Sequence, residues 1–403
     1  MSAIQPLDSI IIGSFILVLA LSPLARGAVD VTSICIIVIF TITSFLLFLI
    51  RLTLKENQEI KLSGLELPLL SLFLLGTISS FFSIYPAQSR RELGFFFCCL
   101  LFFFIVQNLF SDRKRIYLLS LTIIITGITL SILGLFCYAI SMGTPSWEAS
   151  LSSTYVNRNH FAGYLELCLP LSLGMVEYIT DKGKKVLLIY GIILMVISLL
   201  LSLSRGGWIG GSLSLFFMAF LAKKRGLLSR RIWIVSVVGF ILFLTSVLGL
   251  NSIAERISTF ENIFKDPVNF DTRVKVWKGT LEIIQKNPFS GTGIGTFAYA
   301  FPSHRPLGVT QRYLYAHNDF LHFTSEMGIF FLPLFLWLLF SALRIGINTF
   351  FKTKSRLKRG VSLGCSMGIL ALSIHSIFDF NLHIPANLLL FFTFLGMIGA
   401  IRK

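Results

Sequence analysis

Charge is scarce in this chain. Only 13% of its 403 residues are Asp, Glu, Lys or Arg, whereas 55% are hydrophobic and 40 are Phe. Mean hydropathy is +0.81, far outside the soluble range, which leaves a polytopic membrane protein. Acidic groups are fewest, 19 against 35 Lys and Arg. There is no Asp-x-Asp, no His-x-x-x-His and no carboxylate cluster, so no divalent-metal cage is legible, and neither metal nor cofactor is expected. The six Cys (35, 98, 99, 137, 168 and 365) lie in apolar runs without disulfide or metal-ligand spacing and read as small core residues. Internal repeats and low-complexity tracts are also missing. The first apolar run, 10–24, has no Lys or Arg before it and no small-x-small cleavage site, which predicts a retained helix rather than a signal peptide.

What is present is a series of uncharged runs, several near the ~20 residues that a spanning helix needs. They predict an all-α membrane protein with twelve spans, at 8–24, 31–50, 67–84, 93–110, 116–140, 160–179, 186–203, 208–222, 232–250, 318–345, 361–379 and 384–401. The net charge of +16 does not point to nucleic acid. Its cations sit in short clusters between runs, "DRKR" (112–115), "DKGKK" (181–185), "KKRGLLSRR" (223–231) and "KTKSRLKR" (352–359), and this bias marks the cytoplasmic side. Both termini are then cytoplasmic. The whole of 1–403 reads as one transmembrane domain, with one large outer loop at 251–316. Within that loop "DTRVKVWKGTLEIIQKNP" predicts an amphipathic helix: Val274, Trp277, Leu281 and Ile284 form its apolar stripe, Asp271 or Thr272 its cap and Pro288 its stop. It is expected on the membrane surface or packed over the bundle.

Polar residues crowd the side opposite the cation clusters, in "STYVNRNHFAGYLE" (153–166), "LSRGGW" (203–208), "AHNDFLH" (316–322) and "HSIFDFNLH" (375–383). Arg205 follows an uncharged run and precedes Gly206 and Gly207. One reading is a snorkelling interfacial Arg. The other is an anion site, the glycines admitting a bulky group close to the backbone. Arg273, in the first turn of the amphipathic helix, opposes the helix dipole unless an anion is also there. "GTGIG" (291–295) lacks the strand–loop–helix setting of a phosphate loop and reads as a plain turn. In "YAHNDFLHFTSEMG", helical spacing puts Asp319, His322 and Glu326 on one stripe, with His317 on another face. His317 reads equally as a general base for a hydroxyl or as an idle residue beside a cap supplied by Asn318 or Asp319. Glu166, about six residues inside its span, is a functional suspect or the partner of an outer arginine such as Arg90 or Arg91. His375, Asp379 and His383 read as a hydrogen-bonded patch between the last two spans, or as acceptor contacts.

Together "NRNHFAGYL", "LSRGGW", "DTRVKVWKGTLEIIQKNPFSGTGIGTF" and "AHNDFLHFTSEMG" resemble the O-antigen ligase and polymerase superfamily, from about residue 150 to the end. The ligase pattern of His, then Asn, Ser or Gln, nine residues, Gly, two residues and a small residue or Tyr is met at His317, Asn318 and Gly328 and departs at Phe331. The resemblance implies about twelve helices with a large periplasmic loop between the ninth and tenth, in the bacterial inner membrane. It implies transfer of a glycan from undecaprenyl pyrophosphate to a hydroxyl of the lipid A core, or, in polymerase members, to another lipid-linked glycan. By position, Arg205 and Arg273 would grip the donor pyrophosphate and His317 would activate the acceptor. Arg158, His160, Glu166, Asn318 and Asp319 are further candidate substrate contacts. A protein O-oligosaccharyltransferase is a third reading, and a transporter of the lipid-linked sugar a fourth. Transporters gather polar groups near the midplane rather than at one face.

Overall fold

A computed structural model describes residues 4–54, 60–141, 150–229, 234 and 270–402. Apart from Ile234, the predicted span 232–250 and the loop's first part, 251–269, lie outside the described residues. Among the described residues fourteen α-helices follow in order: α1 Ile4–Leu24, α2 Val31–Leu54, α3 Glu66–Phe81, α4 Pro86–Leu109, α5 Arg113–Ser141, α6 Arg158–Val176, α7 Lys182–Leu201, α8 Arg205–Lys224, α9 Phe270–Lys286, α10 Phe297–Ala300, α11 Asp319–Met327, α12 Phe331–Lys352, α13 Arg356–His375 and α14 Pro385–Ile401. No strand occurs among the described residues. Eight of these helices (α1, α2, α4, α5, α7, α8, α12 and α13) are long and apolar enough to cross a membrane, with α3 and α14 shorter and apolar. Large aliphatic and aromatic side chains stand exposed along them, among them Ile39, Phe136, Leu187 and Phe340, as a lipid-facing surface requires. The chain is a multi-pass membrane protein.

The hydrophobic core runs around α13, which packs on α6, α8, α12 and α14. Lipid supplies no hydrophobic drive between helices, so close packing of small residues must hold them together. On α13, Gly360, Gly364 and Gly368 recur every four residues and let α6 approach backbone to backbone. A Cβ on Gly360 would lie 2.1 Å from the Gly174 carbonyl oxygen, and one on Gly364 2.8 Å from that of Pro170. Gly360→Val should therefore destabilise the bundle by about 3 kcal/mol or more. Gly13→Ala, in open space within α1, should be tolerated and stabilise the helix by up to about 1 kcal/mol. Thermal melts of the two variants in detergent compare them directly.

Three expectations need correction. Span 318–345 is not one helix. It breaks at Gly328 (φ 84) into α11 and α12. A Cβ there would lie 2.2 Å from the Phe289 carbonyl oxygen, and Ile329 N donates to Pro288 O at 2.8 Å, so the preceding loop wedges the helix apart. The amphipathic helix α9 is already formed at Phe270, ahead of both proposed caps, and buries Val276, Thr280 and Ile283 while Leu281 is 45% exposed. Its contact face is set at Gly279, where a Cβ would meet the His304 carbonyl oxygen at 2.5 Å. The helix packs over the bundle, Val276 and Ile283 joining Phe297, Phe301 and Ala316 in a small satellite core. Among the cysteines, Cys35 and Cys137 are exposed on the outer faces of their helices and are not core residues, while the other four are buried.

Candidate functional site

α6, α8 and α14 start, and α13 ends, at one end of the bundle. The cation clusters lie at the other end: Arg225 donates to Thr353 O at 2.6 Å, Arg113 lies 3.4 Å from the Tyr178 hydroxyl, and Arg359 pairs with Glu177. At the first end the chain leaves α13 in a turn whose N–H groups at Phe378 and Asp379 donate to His375 O. The turn brings the buried Asp379 out beyond the spanning helix, where the polar groups converge. His317 Nδ1 lies 3.4 Å from Asp379 Oδ1, His160 Nε2 3.9 Å from the same oxygen, and Arg273 Nη2 4.0 Å from Oδ2. Asn159 donates to Asp379 Oδ2, and the carboxylate also accepts from Phe380 N at 2.9 Å. Arg273 Nη1 donates to Phe378 O at 3.0 Å. Burial works to raise the Asp379 carboxyl, and the surrounding imidazoles of His317, His160 and His375 outweigh it, holding the group below the usual carboxylate range.

His317 precedes α11 with φ 51, a left-handed conformation costly for a side-chain-bearing residue. Its ring stands edge-on to Phe380 at 4.9 Å, as does that of His160 at 4.5 Å, and Phe380 stacks on Tyr315 at 4.1 Å. Phe380 is thus the platform that seats both rings. Asn318 is the α11 cap, accepting from Leu321 N at 3.0 Å. Asp319 is buried and does not cap: it accepts from Leu382 N at 2.9 Å and from His383 Nδ1 at 2.6 Å. Arg158 is exposed at the first residue of α6, and the structure brings it to none of these groups. Glu166 corrects its expectation, since its partner is neither Arg90 nor Arg91 but His375 Nδ1, at 2.8 Å. The predicted patch therefore divides. His375 serves Glu166, His383 serves Asp319, and Asp379 serves the His317 and Arg273 side. At Gly206 the bulky group admitted to the backbone is His375 itself. Asn159, Tyr315 and Phe380 were not singled out as site residues, although each stands in one of the polar stretches, "STYVNRNHFAGYLE", "YAHNDFLHFTSEMG" and "HSIFDFNLH".

His322, Glu326 and His383 present potential metal-ligand atoms within 4.8 Å of one another. The donor set does not fit. His322 Nδ1 accepts from Ala316 N at 3.3 Å, so Nε2 carries the proton and donates to Glu326 at 3.1 Å. A metal at Nε2 would move that proton to Nδ1, against a backbone N–H. The cluster is instead a clamp. Glu326 accepts from Gly295 N and Phe297 N, both at 2.8 Å, and its own carbonyl accepts from Gly293 N. The "GTGIG" segment is accordingly a turn whose Thr292, Gly293 and Gly295 N–H groups donate to α11. Burial pushes the Glu326 carboxyl up, and His322, His383 and the Gly295 N–H more than offset this, leaving it below its ordinary value.

Asp379 and Glu326 both have folded-state pKa values beneath the unfolded ones. Their stabilisation is complete above the unfolded carboxylate pKa of ~4 and is lost as pH falls below it. Melting temperature should hold near neutral pH and fall progressively as pH drops below about 4. Asp379→Asn should flatten that slope, as melts across the range would record.

Residues 190–336 match the family model described as O-antigen ligase. The match supports the O-antigen ligase-like superfamily over that segment. Members of that family are glycosyltransferase-like enzymes acting on lipid-linked glycans and their acceptors. No curated protein matches the chain. The O-antigen ligase segment contains Arg205, Arg273 and His317, whereas His160, Glu166, His375 and Asp379 lie outside it, on α6 and at the end of α13. These outlying residues meet the matched segment at the same end of the bundle.

Proposed function

We propose that this chain is an inverting, metal-independent glycosyltransferase that moves a glycan from undecaprenyl pyrophosphate to an acceptor hydroxyl, most simply O-antigen onto the lipid A core. In this reading the chain has twelve spans in the inner membrane, its termini cytoplasmic and loop 251–316 with the site facing the periplasm. The observation that carries it is the gathering of His317 and Arg273 on Asp379, beside the α8 start that bears Arg205. Guanidiniums neutralise the diphosphate, which leaves with the bond electrons, so no strong general acid is required. His317, with Nδ1 toward Asp379, has Nε2 at its other edge to take the acceptor proton. Attack from the face opposite the diphosphate inverts the anomeric carbon.

Polymerisation of lipid-linked glycan is the second reading, and the departure at Phe331 favours it. Phe331 is buried against Phe323 and Phe335, with centroids at 5.0 and 5.7 Å, where the ligase pattern has a small residue or Tyr. Transport of the lipid-linked sugar fits less well, because the polar groups gather at one end of the bundle rather than at its middle. The test is transfer by the purified protein supplied with lipid-linked glycan, with and without lipid A core. Core-dependent product in excess EDTA is the expected result. Longer lipid-linked chains made without core would replace the ligase reading by the polymerase one, and loss in EDTA reversed by Mg²⁺ would end metal independence.

A further inference from the structure

Three buried side chains outside the proposed transfer step form a line within the helices. Glu166 Oε2 accepts from His375 Nδ1 at 2.8 Å, and Glu166 Oε1 accepts from Gly211 N at 3.1 Å. His375 Nε2 faces Ser204 Oγ at 3.4 Å. Ser204 Oγ in turn accepts from Gly207 N at 3.3 Å, which makes Ser204 the cap of α8. The side chains belong to α6, α13 and the residue that precedes Arg205, and all three are 1% exposed or less. Such a carboxylate–imidazole pair buried between helices is costly to desolvate and marks a function.

The surrounding backbone leaves no slack. A Cβ on Gly206 would lie 2.5 Å from His375 Cδ2, and one on Gly210 2.6 Å from Ala371 O and 2.9 Å from Glu166 Oε1. Leu203, two residues before Arg205, holds φ 53, a conformation that persists only where its surroundings impose it. Ser202 Oγ accepts from Ser204 N at 3.3 Å on that bend.

We propose that the Glu166–His375–Ser204 line is a positioning device that locks the first turn of α8 onto the end of α13 and thereby sets Arg205 against the diphosphate site. This rests on the reading of Arg205 as a pyrophosphate contact. His375 is suited to the task, since its ring holds the α8 start while its carbonyl holds the turn that presents Asp379. The order Ser–His–carboxylate also resembles a nucleophile triad. Ser204 is not one: its oxygen is buried and occupied by the Gly207 N–H, and the 3.4 Å separation is long for proton transfer.

The experiment is a double-mutant cycle on the purified full-length protein, with geranylgeranyl pyrophosphate as probe in a direct binding titration. His375→Ala and the milder Glu166→Gln should each weaken binding about tenfold when Arg205 is present and less than about twofold in an Arg205→Ala background, because residues acting through one group are not additive. Ser204→Ala, which keeps the buried pair, should behave alike and replaces His375→Ala if that variant does not fold. Equal losses in both backgrounds, or none with Arg205 present, overturn the positioning role. Arg205→Ala binding the probe as tightly as the parent removes the Arg205 reading itself, an outcome separable from the other two.

Discussion

His317→Ala should slow glycan transfer by about 10²–10⁴-fold, the range for loss of a positioned general base. Donor binding should change by less than about twofold if the imidazole serves the acceptor alone. The ring is fixed from three sides, by Asp379 at Nδ1, by Phe380 and by its own left-handed backbone. That backbone complicates alanine, which adopts φ 51 at some cost. His317→Asn separates the two effects, because Asn tolerates the left-handed region yet cannot act as a base near neutral pH. Both variants should be equally inactive, with His317→Asn melting closer to the parent. Full transfer by His317→Asn would eliminate the imidazole as base and leave the conformation as what the site needs.

The spans were legible because lipid demands long apolar stretches, and each predicted run within the described residues carries a helix. Span ten misled for a local reason. In "FTSEMGIFFLPLF" a single Gly328 is compatible with a continuous helix, and nothing along the chain announces that the carbonyls of Pro288 and Phe289 press on it there. Helix α9 misled similarly: its apolar residues permit two neighbouring faces, and the contact at Gly279 selects the one through Val276 and Ile283. The motifs drew attention to Arg205, Arg273 and His317. What links them was not legible. Asp379 owes its position to a turn that begins only where α13 stops, and the partner of Glu166 lies 209 residues further along the chain. Sequence spacing conveys faces of one helix, while a hub built from four elements is decided by packing.

Arg273→Ala and Arg205→Ala should each lower the transfer rate by about 10²–10³-fold, the cost of one preorganised donor facing developing charge. The diphosphate gains negative charge as the glycosidic bond breaks, so the losses should fall more on kcat than on KM. Arg273 has one nitrogen committed to Phe378 O and another 4.0 Å from Asp379, an alignment that a lysine cannot copy with its single ammonium. Arg273→Lys should therefore recover less than about a tenth of the lost rate even though the charge is retained. If both guanidiniums address the same diphosphate, the double variant should lose less than the product of the single losses. Strict multiplicativity would place the two on separate groups, one of them on the sugar or the acceptor. Full activity in Arg273→Lys would reduce that residue to a point charge, with Phe378 and Asp379 needed only to keep α9 seated on the bundle.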